Sequence, residues 1–268
     1  MYNNRMAECN HDCSNCNERD CNSRIVKAIP NKNTTIKHII GIVSAKGGVG
    51  KSLVTSLLAI KKNRENFKVG ILDADITGPS IPKSFNAMGH LYQKDGAILP
   101  LLSKTGIKIV SASSLLDDNS EPILWRGPLI AGMVKQFFTD VNYGELDYLF
   151  IDMPPGTGDV SLTVFQSINI DGIIIVTTPQ DLVKEIVSKA IIMANKMNIK
   201  VLGIIENMSY LECPDCKKHI EIFGKSHLEE ISNKYQLKVI GKIPVDAKIS
   251  ELVDKGSIED IKDTYISF

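Results

Sequence analysis

Residues 44–52 read Ser-Ala-Lys-Gly-Gly-Val-Gly-Lys-Ser, a set of glycines, lysines and hydroxyls suited to gripping a chain of phosphates. Gly47, Gly48 and Gly50 let the backbone wrap an anion without Cβ clashes, so that successive N–H groups face phosphate oxygens. Ala45 and Val49 supply the rest of that backbone. Lys51 is placed to bridge the β- and γ-phosphates of a nucleoside triphosphate, and the Ser52 hydroxyl to hold Mg²⁺. Lys46 is one lysine more than this task needs. Two acidic segments complete the chemistry of a hydrolase. Asp73-Ala74-Asp75 follows an apolar run: Asp75 is the candidate for orienting or activating water at the γ-phosphate and Asp73 its support, the plainer reading being an Asp that caps the turn before Gly78-Pro79. Tyr148-Leu149-Phe150-Ile151-Asp152 is an apolar strand ending in an acid, and Asp152 would hold Mg²⁺ through water or Ser52. The loop after it, Met153-Pro154-Pro155-Gly156-Thr157-Gly158-Asp159, suits a segment that changes shape when the γ-phosphate is lost. A guanine-reading Asn-Lys-x-Asp is missing, because Asn195-Lys196-Met197-Asn198 ends a helix and lacks the Asp. Adenine is therefore the expected base, and Asn207 is positioned to read it with its amide.

The second chemistry belongs to six cysteines. With no secretion signal, disulfides are disfavoured and metal or redox use is expected. Cys213-x-x-Cys216 offers two thiolates where an iron–sulfur or zinc site usually takes four ligands. A second copy of the chain could supply the other two; His219 could contribute to a mononuclear zinc site, and a redox dithiol is the third option. Cys9, Cys13, Cys16 and Cys21 form a C-x3-C-x2-C-x4-C tetrad close to the tight runs of bacterial ferredoxins, with zinc as the competitor. Its first three cysteines also match radical-SAM spacing, but a phosphate-binding domain follows where a β/α barrel would be needed.

These groups must be positioned by strand–loop–helix units. Short apolar runs at 39–43, 69–72, 107–110, 148–151, 173–177, 201–205 and 239–240 predict strands, and most lack alternation, as in a parallel sheet covered on both faces. Helical spacing covers Asp181–Met197, and Pro128 opens another helix with Ile130, Val134 and Phe137 on its inner face. The expected fold is α/β: a doubly wound, mostly parallel sheet in a three-layer P-loop NTPase. Residues 1–35 are expected to form a polar, cysteine-containing tail ordered by metal, and residues 36–268 the ATPase domain. With 31 basic and 31 acidic residues, neither nucleic acid nor an anionic membrane is expected as a partner. No apolar leader or spanning stretch is present, so a cytoplasmic protein is expected.

Lys46 ahead of the glycines, with Asp73, Asp75 and Asp152-Met153-Pro154-Pro155-Gly156, resembles the deviant Walker A ATPases, a group that includes MinD, ParA, the arsenite-pump ATPase and the nitrogenase iron protein. Within it the chain resembles the Mrp/ApbC iron–sulfur carriers over nearly all of residues 36–250. The matching segments are 72–82, Trp125-Arg126-Gly127-Pro128, 152–159, Thr178-Pro179-Gln180, Glu206-Asn207-Met208-Ser209-Tyr210, Cys213-Pro214-Asp215-Cys216 and Ile222-Phe223-Gly224. The resemblance implies a homodimer that closes on ATP, with Lys46 reaching the partner's phosphates. It also implies a [4Fe–4S] cluster bridging two Cys213/Cys216 pairs, and apo iron–sulfur proteins as clients. The cysteine tail is similar to the ferredoxin-like extension of eukaryotic cytosolic scaffold ATPases, though its spacing differs. Ala45 stands where the family usually has Gly, from which nucleotide binding with slow hydrolysis is expected. Two other members suggest alternatives. An electron-transfer ATPase akin to the nitrogenase iron protein would carry single, widely separated cysteines. A MinD/ParA-type positioning protein would carry a membrane or DNA segment that Ile258–Phe268 does not supply.

Overall fold

Runs of isoleucine, valine and leucine become strands here because both of their faces can be buried at once. The computed structural model describes residues 27–44, 46–75, 80–94, 96–111, 114, 127–156, 158–180 and 183–268. The expected metal tetrad Cys9, Cys13, Cys16 and Cys21 lies outside the described residues, as do Ala45, Trp125 and Arg126. In chain order the elements are β1 (Thr35–Val43), α1 (Lys51–Arg64), β2 (Val69–Asp73), α2 (Ile81–Ser84), β3 (Tyr92–Lys94), β4 (Ala97–Leu99), β5 (Leu101–Leu102), β6 (Lys108–Ser111), α3 (Gly127–Asp140), β7 (Glu145–Asp152), α4 (Asp159–Ser167), β8 (Gly172–Thr177), α5 (Val183–Lys196), β9 (Val201–Glu206), β10 (Leu211–Glu212), β11 (His219–Ile220), α6 (Leu228–Tyr235), β12 (Val239–Lys242) and α7 (Ala247–Asp254).

Eight strands form one sheet in the order β12-β9-β8-β1-β7-β2-β6-β5. All neighbours are parallel except the two-residue edge strand β5, which pairs antiparallel with β6. Successive residues of the central strands feed two separate cores. Leu149 and Ile151 of β7, with Ile173 and Ile175 of β8, pack under α3–α6. Phe150, Ile174 and Val176 pack on the opposite face with α1, α2 and α7. The three-layer α/β/α fold and all seven expected strands are thus present. Two small hairpins, β3–β4 and β10–β11, stand outside the sheet.

The folded part begins upstream of the expected boundary at residue 36. Lys27 Nζ donates to the carbonyls of Phe165 and Ile168 at 2.9 and 3.1 Å. The buried Thr34 hydroxyl donates to Val141 O and accepts the Tyr143 N–H. These hydrogen bonds, buried at Thr34 and partly buried at Lys27, fasten this stretch to the fold before β1 begins. Among the described residues no helix is long and apolar enough to cross a membrane.

Candidate functional site

β1 delivers the chain to the loop at 46–50, and α1 takes it away. The turn is made by two left-handed backbones, Gly48 at φ 80° and Gly50 at φ 79°, a conformation that costs an L side chain energy. Gly50 is also the residue ahead of α1, so the helix's first free N–H groups and its positive end face the cleft. That cleft is lined by Gly47, Gly48, Gly50, Lys51, Ser52 and Asp75. The strand register does the rest. Asp73 of β2 lies opposite Asp152 of β7, so both carboxylates reach the same C-terminal sheet edge as the loop, where ligands bind in doubly wound sheets.

Lys51 and Asp152 form the centre of the site. Lys51 Nζ lies 2.7 Å from Asp152 Oδ1 and 3.5 Å from Asp75 Oδ2, with side-chain exposures of 4%, 0% and 15% respectively. Ser52 Oγ donates to Asp152 Oδ2 at 2.6 Å. One carboxylate therefore holds both the phosphate-seeking lysine and the metal-seeking hydroxyl. Thr55 Oγ1, one helical turn beyond Lys51, donates to Asp152 Oδ1 at 3.0 Å. Asp73 does not touch Lys51 directly. Its Oδ1 accepts the Asp75 N–H at 3.1 Å and its Oδ2 accepts the Ser111 hydroxyl at 3.1 Å, so it fixes the backbone that carries Asp75. Burial pushes the Asp73 carboxyl well above the usual range, and the neighbouring Asp152 charge pushes it further, against the pull of Lys51. Burial also raises Asp152, while Lys51, Ser52 and Thr55 oppose the rise. The donor set of Ser52 and Asp152 suits the hard oxygen coordination of Mg²⁺.

Two of the expected site residues have partners of their own within this chain. Asn207 is 2% exposed, and its Nδ2 donates to Val49 O at 2.9 Å. Its amide braces the phosphate loop from beneath instead of lying open to a base, because Gly50 leaves room for it. Lys46 is exposed and its Nζ donates to Gln180 Oε1 at 3.2 Å, on the loop that follows β8. Thr55 and Ser111 were not among the residues expected from sequence. The spacing of Thr55 from Lys51 could have identified the former, and the position of Ser111 at a strand end the latter.

The cysteine pair occupies the turn between β10 and β11. Cys213 is half-buried and Cys216 exposed, both as free thiols. The turn is closed by Cys213 N–H to Lys218 O and Lys217 N–H to Cys213 O, both 3.0 Å, with Lys217 at φ 60°. Backbone N–H groups of Cys216 and Asp215 point at the Cys213 sulfur and lower its pKa, which favours the metal-binding thiolate. His219 stacks on Tyr210 with ring centroids 3.8 Å apart. Among the described residues no third Cys, His, Asp or Glu completes a ligand cluster with the two thiols. The mononuclear site weighed for Cys213, Cys216 and His219 is therefore not assembled among the described residues of one chain. Ile220, Ile222 and Phe223, each more than 40% exposed, flank the turn.

Comparison with known proteins places this geometry in a family. Residues 35–266 match the ParA-type NUBPL iron-transfer P-loop NTPases. An iron–sulfur cluster carrier protein of Clostridium perfringens is 40% identical over 266 residues, covering 92% of this chain and 93% of its own length. The Methanocaldococcus jannaschii protein of the same description is 45% identical over 260 residues, covering 94% and 90%. A cytosolic Fe–S cluster assembly factor of Kluyveromyces lactis is 40% identical over 247 residues, covering 88% and 87%. Among solved structures, a nucleotide-binding protein of Archaeoglobus fulgidus in complex with ADP, in which cobalt was found, superposes with a TM-score of 0.78 at 44% identity, covering 86% of this chain and 90% of that one. MinD of Pyrococcus horikoshii with Mg-ADP shares the fold at 20% identity and a TM-score of 0.58, covering 86% and 91%. The chain belongs to the NUBPL iron-transfer P-loop NTPases.

Proposed function

We infer that this protein is an ATP-dependent carrier that holds an iron–sulfur cluster as cargo and passes it to apo-proteins. The observation that carries the reading is the coexistence of a phosphate-binding centre and a turn that presents two free thiols. A second copy related by twofold symmetry would supply the other two thiolates, giving a [4Fe–4S] cluster held between protomers. The names of the relatives support the same cargo.

The residues divide the work as follows. The N–H groups around Gly47, Gly48 and Gly50 cradle the phosphates, and Lys51 turns from Asp152 towards the β- and γ-oxygens. Ser52 and Asp152 hold Mg²⁺, which when bound neutralises charge developing on the phosphates. Asp75, kept in place by Asp73, orients the attacking water. Lys46, exposed at the rim, leaves Gln180 and reaches the nucleotide of the partner, so that hydrolysis requires the dimer. Asn207 reads adenine after releasing Val49. Pro155 and Gly156, tied to β1 through the 2.8 Å bond from Gly156 N–H to Ser44 O, carry the loss of the γ-phosphate into the loop after β7. The N-terminal tetrad Cys9, Cys13, Cys16 and Cys21 holds a second cluster or zinc.

Anaerobic reconstitution tests this reading. The expected result is iron–sulfur absorbance, transfer to an apo-acceptor, and loss of about four iron and four sulfide per two chains in Cys213→Ser, with tail metal retained. Absence of iron in the reconstituted wild type, or full retention of it in Cys213→Ser, would refute the reading.

A further inference from the structure

Among the described residues, the cysteine turn is attached to the protein at its base. Between Leu211 and Lys225 no residue is buried, and Cys213 and Leu211 alone are half-buried. The fifteen residues 211–225 that carry the thiols thus contribute nothing to either core. Two backbone bonds, Ser209 N–H to Ile243 O at 2.9 Å and Val245 N–H to Tyr210 O at 2.8 Å, hold the near side of that base, and one carboxylate ties its two sides together. Glu206, the last residue of β9 and 1% exposed, accepts the Ser209 hydroxyl on Oε2 at 2.6 Å and the Ser226 hydroxyl on Oε1 at 2.9 Å. Ser209 precedes the turn and Ser226 follows it. Ser226 Oγ in turn accepts the Leu228 N–H at 3.3 Å, which extends the clasp into the first turn of α6. The next residue in the chain, Asn207, reaches the other way, to Val49 of the phosphate loop. A methyl at Gly50 would lie 2.1 Å from the Asn207 amide nitrogen, so loop and asparagine are in interlocking contact. Two adjacent buried residues therefore grip the nucleotide loop with one side chain and the thiol-bearing turn with the other.

We propose that Glu206, acting through Ser209 and Ser226 and driven by Asn207, is the positioning residue that couples the state of the phosphate loop to the presentation of Cys213 and Cys216. A nucleotide that shifts Val49 and the Asn207 amide displaces the end of β9, and Glu206 moves both feet of the cysteine turn together. Because Glu206 is itself paired with Thr177 of β8 and Lys242 of β12, the strand beneath stays in register and the movement passes through the Glu206 side chain to the two serines. By linkage, occupation of the thiols shifts nucleotide affinity by the same factor. The proposal rests on the carrier reading for the identity of the cargo, but not for the coupling itself.

The test uses iron-free, reduced full-length protein, with iodoacetamide alkylation of Cys213 and Cys216 followed site by site in the presence and absence of Mg-ATP. In the wild type, Mg-ATP changes the alkylation rate about fivefold or more. In Ser226→Ala and in Glu206→Ala that ratio falls to within about 1.5-fold, while Ser226→Thr, which keeps the hydroxyl, retains it, and Ser226→Ala still binds nucleotide. Thermal unfolding confirms that Ser226→Ala is folded, should Glu206→Ala fail to be. A wild-type ratio near one, or an unchanged ratio in folded Ser226→Ala, overturns the coupling. Wild-type protein that takes up no iron yet shows the nucleotide-dependent ratio leaves the coupling standing and sinks the carrier reading instead.

Discussion

Gly50→Ala is the sharpest single test of how the phosphate loop is built. Two independent penalties meet at this residue. Its backbone sits at φ 79° and ψ 32°, the left-handed region, which costs an L residue about 1–2 kcal/mol. A Cβ there would fall 2.1 Å from Asn207 Nδ2 and 3.3 Å from Asn207 Cγ. The Asn207 side chain is almost wholly enclosed, so relief means giving up its bond to Val49 O and leaving buried polar groups unpaired, about 1–3 kcal/mol more. The sum is about 2–5 kcal/mol. Gly48→Ala is the internal control: its φ of 80° carries the same conformational cost, but a methyl there meets nothing within 4 Å. Urea unfolding followed by far-UV circular dichroism should place Gly50→Ala below Gly48→Ala by the Asn207 contribution. In an Asn207→Ala background the extra cost of Gly50→Ala should shrink to the Gly48→Ala level. Equal penalties at the two glycines, or an unchanged Gly50→Ala penalty without Asn207, would refute the interlock.

Four further outcomes follow from the same structure. Asp73 is held above the usual carboxylate range by burial and by Asp152, so the folded protein keeps a proton that the unfolded chain releases. Its contribution to stability therefore declines as pH rises out of the ordinary Asp range. Asp73→Asn, which preserves an acceptor for Asp75 N–H and a partner for Ser111, should gain on the wild type between pH 5 and pH 8 in EDTA. Asp152→Asn, which strips the buried Lys51 of its 2.7 Å partner, should lose about 3 kcal/mol by urea unfolding. Tyr143 is fully buried and, among the described residues, its hydroxyl has no hydrogen-bond partner. Tyr143→Phe should accordingly stabilise by about 1 kcal/mol, a rise of about 2–4 °C in calorimetric Tm. Lys46→Ala should cut ATP turnover about 10³-fold while ADP affinity stays within about threefold. An equimolar mixture of Lys46→Ala and Asp75→Asn chains should recover about a quarter of wild-type turnover through one composite site in half of the dimers. A mixture as inactive as its components would place Lys46 in its own chain's site.

The large parallel strands were readable because their burial on two faces leaves continuous apolar runs, as Ile173–Thr177 does in β8. β1 begins earlier than expected, at Thr35, because its first four residues are held by pairing with β7 and by the 2.8 Å Lys37–Asp147 contact, not by hydrophobic pattern. β5, β10 and β11 have two residues each, too few to show any period. At the site, loop glycines and strand-end acids announce themselves because their spacing is local. Ser111 and Glu206 do not. Ser111 matters only through sheet register with Asp73, and Glu206 through serines 3 and 20 residues away. A hydroxyl that will donate to a buried carboxylate looks, in sequence, like any other serine.

The exposure of residues 211–225 has an energetic consequence for how a nucleotide could govern a metal cargo. A turn that packed into the core would be held by several side chains, and moving it would require energies comparable to domain stability. A turn fastened by two hydroxyl–carboxylate bonds is held by about 1.5–3 kcal/mol each. Allosteric couplings between ligand sites are typically about 1–3 kcal/mol. Each of these bonds taken singly therefore falls in the range that binding at the phosphate loop can overcome, while the sheet beneath does not. The same weakness exposes Cys216 to solvent and leaves Ile220, Ile222 and Phe223 uncovered beside it. Under the proposed function, looseness at this turn is the physical condition for releasing a cluster held by these two thiolates.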